Sequence, residues 1–228
     1  MPVELIAELA TAHGGDVDLA CDMVAAAADA GAHTVKIQSY TLARLNPTDP
    51  QAAWLRQSYL DEAAHRRVMA ACKAGGVRFL STPFDVDALG MLLGFGVGRV
   101  KIASTQSDET WWSGKGLAII ASRPWGGERV PFVHNLTAIP MYPTPLEAVR
   151  AAPLLDGWSD HTIGTAACKH MISKGARIIE AHFCLPGRSR QMPWDKTPEQ
   201  FREIRDWADT VETMTTGVAT HFRERWTA

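Results

Sequence analysis

The chain has 228 residues, with 23 Lys and Arg against 25 Asp and Glu and a formal net charge of −2. That balance excludes a broad basic face for nucleic acid, and 46% hydrophobic with 21% charged residues excludes a disordered chain. No run approaches the ~20 apolar residues of a membrane span, and no basic flank precedes the apolar N-terminus. A soluble, cytoplasmic protein without nucleic-acid or membrane partners is therefore expected. The 4 cysteines, Cys21, Cys72, Cys168 and Cys184, lie far apart with no CxxC pair and read as buried thiols.

In chain order, Glu4–Leu9 reads as a first strand. A turn at Gly14-Gly15-Asp16 follows, then a helix with Leu19, Met23, Ala27 and Ala30 on one face, stopped by Gly31. Thr34–Gln38 is the second strand, and Leu60–Ala74 a helix with Leu60, Ala64, Val68 and Cys72 in one row. Arg78–Ser81 is the third strand, a short helix starts at Asp85, and Arg99–Ala103 is the fourth strand. Between Ser104 and Val130 only Leu117–Ala121 reads as a strand, flanked by turn formers and by Trp111, Trp112 and Trp125. Val130–His134 is predicted as the sixth strand and Thr144–Ala151 as a short helix. Strand Leu155–Ser159, helix Thr165–Lys174, strand Arg177–His182 and a long helix from Pro198 to about Arg223 complete the chain.

Strands alternating with helices imply parallel strands joined by right-handed crossovers. Eight of them predict an α/β fold, a (β/α)8 TIM-type barrel in a single domain over residues 1–228, lacking the helices after strands 4 and 5. An open doubly wound sheet is the rival, and the missing GxGxxG after the first strand weighs against it.

In such a barrel, functional groups gather at the C-terminal strand ends. Glu8 closes the first strand, Lys36 and Gln38 lie on the second, and Thr82 follows the third. Lys101 and Ser104 belong to the fourth, Ser122 to the fifth and His134-Asn135 to the sixth. Ser159, Asp160 and His161 end the seventh, with Glu180 and His182 on the eighth. Two lysines among several hydroxyls suit an anionic, phosphorylated ligand, although any one of these lysines alone reads more readily as a solvated rim residue. His161 and His182 end consecutive strands, and two neutral imidazoles with water can form an open divalent metal site near Glu8 or Glu180. The plain alternative is that each histidine bonds only to backbone.

The segments IAELATAHGGDVDLA, AGAHTVKIQSY, FLSTPFD, VKIAS, YPTP, GWSDHTIG and GARIIEAHF, in that order, resemble the barrel domain of the sialic acid synthase (N-acetylneuraminate synthase) family. The match is collinear over most of residues 5–185 and fails mainly between Thr105 and Val130. The resemblance implies a transferase that condenses phosphoenolpyruvate (PEP) with an N-acyl amino sugar aldehyde such as N-acetylmannosamine. The product would be a nonulosonic, sialic-acid-like 2-keto acid, and phosphate would be released. By matched position it implies that His161 and His182 hold a divalent metal, Mn2+ or Mg2+. It further implies that Lys36, Thr82, Lys101, Ser104, Ser122 and Ser159 hold the phosphate and carboxylate of PEP. Glu8 and Glu180 would face the sugar and the reacting centre, sharing catalysis with Lys36 and Lys101. Gln38, Asn135 and Tyr142 join the substrate-binding set, with Thr137 the alternative to Asn135, and Asp195 takes the place of an aspartate in the family's loop after strand eight.

The chain departs from the family in lacking two helices, and the family's C-terminal antifreeze-like domain is expected to be absent. A related PEP aldol synthase with another aldehyde, or a non-catalytic ligand-binding barrel, are the competing readings. The missing helices should bare apolar outer faces near Val100–Ile102 and Leu117–Ile119. Either Trp111, Trp112 and Trp125 cover them locally, or residues 105–130 pack a homo-oligomer, the expectation carried forward.

Overall fold

Alternating inward and outward side chains along each apolar run fix which face of every strand enters the barrel. The computed structural model describes residues 2–106, 110–125 and 127–226, with side chains through residue 215. Its strands are β1 (Glu4–Ala10), β2 (Thr34–Ser39), β3 (Arg78–Pro83), β4 (Arg99–Ile102), β5 (Ala118–Pro124), β6 (His134–Ala138), β7 (Gly157–Asp160) and β8 (Ile178–His182). All pair in parallel, in the order β3-β2-β1-β8-β7-β6-β5-β4. No ladder joins β3 to β4 among the described residues, but Gln106 closes the gap by donating to the Phe84 carbonyl at 2.7 Å. The result is a nearly closed (β/α)8 barrel.

Helices α1 (Val17–Asp29), α2 (Ala52–Gln57), α3 (Glu62–Ala74), α4 (Val86–Gly94), α5 (Leu146–Ala151), α6 (Ala166–Ser173) and α7 (Pro198–Trp226) lie between and after the strands. Three start on an aspartate that caps free backbone amides: Asp16 on Leu19, Asp61 on Ala64 and Asp85 on Ala88. The sequence reading missed α2, a short helix without a side-chain cap. It docks under the loop after β1, where a Cβ on Gly15 (φ +87°) would meet the Gln57 carbonyl at 2.1 Å. None of these helices is long and apolar enough to cross a membrane.

The sixth strand is displaced from its predicted position. Val130–His134 was expected, yet the strand starts at His134 and runs to Ala138. Pro131 lacks an amide donor, Phe132 takes φ 64°, and the segment turns instead of pairing. Asn135 staples that turn, accepting from the Val130 amide at 2.9 Å and donating to the Val130 and Val133 carbonyls.

As predicted, no α-helix follows β4 or β5 among the described residues; residues 107–109 and 126 of the 105–130 segment lie outside them. The outer faces of these strands are nevertheless covered. Trp112 is buried against Val100, Ile102, Ile119 and Ala121, with Leu89 and Leu92 of α4 beside it and Trp111 packed at its edge. Its indole nitrogen donates to the Gln106 carbonyl at 3.3 Å. Local cover thus accounts for the outer faces of both strands within the single chain, with Trp112 buried inside it. Trp125 remains half exposed.

Inside, Ile6, Leu80, Ile120, Leu136 and Ile178 form a dry lower layer. Gly157 lets β7 approach β8 there, since a Cβ would meet the Ile178 carbonyl at 2.1 Å. At the N-terminal end, Arg99 of β4 grips Glu4 of β1 with two bonds of 2.7 and 2.9 Å. Thr34 adds a bond of 2.7 Å to the same carboxylate and Arg78 an ion pair at 3.0 Å. The four cysteines are free; Cys72, Cys168 and Cys184 are buried and Cys21 is half-buried.

Trp112→Ala should cost about 3–5 kcal/mol in denaturant unfolding, as expected for an aromatic emptied from a core, while Trp125→Ala stays within about 0.5 kcal/mol. Equal effects would show that the cover over β4 and β5 lies elsewhere.

A second expectation concerns Glu4. Burial raises its pKa, but the bonds from Arg99 and Thr34 outweigh burial and hold it below the ordinary 4.5. A group depressed in the folded state contributes stability above its unfolded pKa, and that contribution is lost as pH falls through the folded value. Glu4→Gln should therefore flatten the acid limb of the stability–pH curve measured by unfolding from neutral pH downward.

Candidate active site

Above the dry layer, the next inward residues are polar. Glu8, Lys36, Thr82, Lys101, Ser122, Ser159 and Glu180 supply seven of the eight strands, and Ala138 of β6 the eighth. They floor a cavity of about 520 Å3 at the C-terminal mouth. Gln38, Ser104, Tyr142, His161, His182 and Asp195 stand in its walls. The structure therefore brings together every residue of the catalytic, substrate and metal set that the resemblance implied except Asn135, while the strand-end candidates His134 and Asp160 lie outside the lining. Asn135 lies at the opposite end of β6, holding the 130–133 turn, because the strand begins at His134 and not before it. Thr137 does not replace it; its hydroxyl bonds the Pro153 carbonyl at 2.6 Å, and Ala138 is the β6 residue at the cavity.

Glu180 is the centre of the floor. Its Oε1 accepts from Lys101 Nζ at 3.3 Å and from Ser159 Oγ at 2.9 Å, and its Oε2 lies 3.9 Å from Lys36 Nζ. Lys101 also donates to Ser122 Oγ at 2.7 Å, and Lys36 to Thr82 Oγ1 at 2.9 Å. Lys36 makes a close ion pair with Glu8, whose Oε1 accepts from the Ala10 amide at 2.6 Å. All four charged side chains are nearly inaccessible to solvent.

Burial by itself would raise the Glu180 pKa, but Lys101, Lys36 and the Ser159 hydroxyl overcome it and hold the carboxylate at about 2. Burial pushes Lys36 below the usual lysine value, while Glu180 pulls the other way and Lys101 adds to the depression. The two lysines are thus already matched by two carboxylates. A multiply charged anion entering this floor needs a further cation or a proton to keep the site neutral.

The histidines stand above this floor. Their ring centroids are 5.3 Å apart, with Tyr142 4.3 Å from His161 and Trp194 6.4 Å from His182. Burial depresses His161 to about 4 and takes His182 well below its ordinary value, so both imidazoles are neutral with lone pairs free to bind. His161 Nδ1 is buried and makes no hydrogen bond among the described residues, and Asp195 Oδ1 lies 3.7 Å from His182 Nδ1. Among the described residues no three His, Cys, Asp or Glu converge as a complete cation cage. The set fits an open site instead, with two imidazoles and remaining positions left to water and substrate.

Sequence reasoning missed part of the rim. Arg190 lies in the cavity wall with its guanidinium 4.3 Å over Trp54 of α2, and Trp194 packs on Tyr142 at 5.5 Å. The polar run after β8 carries no periodicity that could have pointed to them.

The model of the NeuB family matches residues 23–111 and 134–219. The chain belongs to the NeuB family. The break between the two matched segments holds β5 and its flanking loops, where no covering helix lies among the described residues. Among its relatives, an N,N'-diacetyllegionaminic acid synthase of Campylobacter jejuni is 27% identical over 79% of this chain and 67% of its own length. The N,N'-diacetyllegionaminic acid synthase of Legionella pneumophila is 26% identical over 92% of this chain and 72% of its own. The solved N-acetylneuraminic acid synthetase of Leptospira borgpetersenii, in complex with citrate, superposes with a TM-score of 0.84 at 23% identity. That match covers 99% of this chain and 92% of the other, and it shows the shared fold. This chain is accordingly a NeuB-type enzyme.

Lys101→Met in this NeuB-family chain should destabilise by about 3–5 kcal/mol, because it leaves the Glu180 charge buried with fewer partners. Adding Glu180→Gln should recover much of that loss in the same unfolding measurement.

Proposed function

We propose that this chain condenses PEP with an N-acyl amino sugar aldehyde to form a nonulosonic 2-keto acid, with release of phosphate. The observation that carries the reading is the buried floor of Lys36, Lys101, Thr82, Ser122 and Ser159 around Glu180 at the barrel mouth. The family membership supports it. Lys36 and Lys101 supply charge for the phosphate and carboxylate of PEP, and their hydroxyl partners supply direction. Held on rigid strand ends, the two substrates meet in one orientation.

Bond formation joins C3 of PEP to the aldehyde carbon, and the aldehyde oxygen takes a proton. Positive character then develops at C2, beside the ionised Glu180. Water adds at C2 and loses one proton, which balances the proton taken by the aldehyde oxygen; the C2 hydroxyl then gives its own proton to the departing phosphate as the C2–O bond breaks, and the 2-keto acid remains. Glu180 Oε2 is buried and makes no hydrogen bond among the described residues, which leaves it open to receive the water's proton. As PEP draws Lys36 and Lys101 toward its own anionic groups, Glu180 loses the partners that depress its pKa and becomes a better base. His161 and His182 would hold Mn2+ or Mg2+, which would supply Lewis acidity toward the aldehyde and the positive charge the floor lacks. The acceptor belongs to the N-acetylmannosamine-like class; the relatives are named for different products, so the individual sugar is a matter for assay.

The test is phosphate release from PEP with Mn2+ and a panel of N-acyl amino sugars, read together with Mn2+ binding. Release that depends on one acceptor is expected. His161→Ala and His182→Ala should each weaken Mn2+ binding sharply while leaving the melting temperature unchanged. No release with any acceptor would overturn the reaction, and undiminished Mn2+ binding by both variants would overturn the metal assignment.

A further inference from the structure

Behind the two histidines, and outside the lining of the cavity, Asp160 and Lys196 form an ion pair of 2.7 Å with both side chains wholly buried. Their polar atoms are fully used. Asp160 Oδ1 accepts from Trp158 Nε1 at 2.8 Å, and Thr162 Oγ1 bonds both carboxylate oxygens at 3.1 and 3.2 Å. Lys196 Nζ donates in addition to the Thr162 carbonyl at 2.6 Å and the Trp194 carbonyl at 2.9 Å.

A pair so deeply desolvated is weak support for stability, since apolar residues of similar volume commonly do as well. Its placement is what distinguishes it. Asp160 immediately precedes His161, and Thr162 immediately follows it. The Lys196 amide donates to the His182 carbonyl at 2.8 Å, and its own carbonyl accepts from the Cys184 amide at 3.0 Å, forming a parallel bridge with Phe183. One lysine therefore grips the chain on the far side of His161, the carbonyl of His182 and the carbonyl of Trp194. β7 is only four residues long and ends at Asp160, so beyond the strand the His161 backbone is held by the Thr144 amide, which donates to its carbonyl at 2.8 Å, and by the grip on the residues at either side.

We propose that the Asp160–Lys196 pair is a positioning element that sets the separation and ring orientation of His161 and His182 and seats Trp194 against them. Neither residue touches substrate. Each acts through the backbone on either side of a histidine, as partners behind a ligand set commonly do. What the histidines hold rests on the metal reading proposed above, whereas their placement does not.

The experiment compares the wild type with Lys196→Met and with the double variant Asp160→Asn, Lys196→Met. The first readout needs no metal: the ring-to-ring NOE between His161 and His182 in protein labelled at its histidine side chains. The second is Mn2+ affinity by EPR, and the third is melting temperature. Lys196→Met strands a buried carboxylate and should lower the melting temperature. The double variant removes that charge and should recover stability, but it cannot restore the bonds to the Thr162 and Trp194 carbonyls. Its NOE should stay weakened, and its Mn2+ affinity about 10- to 100-fold below wild type. A double variant with wild-type NOE and affinity would overturn the proposal, as would affinity that simply follows melting temperature across the set. A wild type that binds no Mn2+ would refute the metal reading alone, and the NOE then decides the positioning role.

Discussion

Four charges buried in one layer of a barrel must be matched within that layer, and most of this structure's upper half follows from that requirement. Lys36, Lys101, Glu8 and Glu180 come from four different strands and share almost no solvent. Each would be costly alone, and together they are tolerable because every lysine faces a carboxylate and a hydroxyl. The strands that carry them are held in register by the apolar layer below and by the Glu4 grip of Arg99 at the base. Rigidity beneath and pairing above are thus one arrangement.

The same neutrality shapes the chemistry. A floor that is already balanced cannot take up PEP without changing the charge on something. Two neutral imidazoles, one with a buried nitrogen that has no hydrogen-bond partner among the described residues, stand over it and offer a place for a divalent cation. Under the proposed function, substrate capture, cation capture and the basicity of Glu180 would be linked through one set of charges.

Losing helices on one side of a barrel exposes apolar strand faces, and here a few bulky side chains do the covering. Trp112, with Trp111 and the Leu89–Leu92 face of α4, occupies the space outside β4 and β5. A tryptophan suits this because its ring covers a broad area while its single polar atom finds a carbonyl, that of Gln106. The barrel interior at β4 and β5 keeps Lys101 and Ser122 in place despite the shortened connections.

By itself the sequence determined the parallel barrel and the lack, among the described residues, of helices after β4 and β5; the family resemblance named fourteen site positions, of which thirteen line the cavity, from Glu8 on β1 to Asp195 after β8. Period-two alternation decides which residues of a strand face inward, and alternating order decides that the strands are parallel, so both are written locally. Asn135 was misplaced because strand limits depend on pairing: Val130–His134 has the composition of a strand, but Pro131 and the turn at Phe132 leave it nothing to pair with. The tertiary structure alone decided that Trp112 folds inward, that Arg190 stacks on Trp54 across the cavity rim, and that Lys196 reaches Asp160 behind the histidines. Each of these joins residues from separate loops whose approach is set by the closure of the barrel, and no local periodicity encodes such a contact.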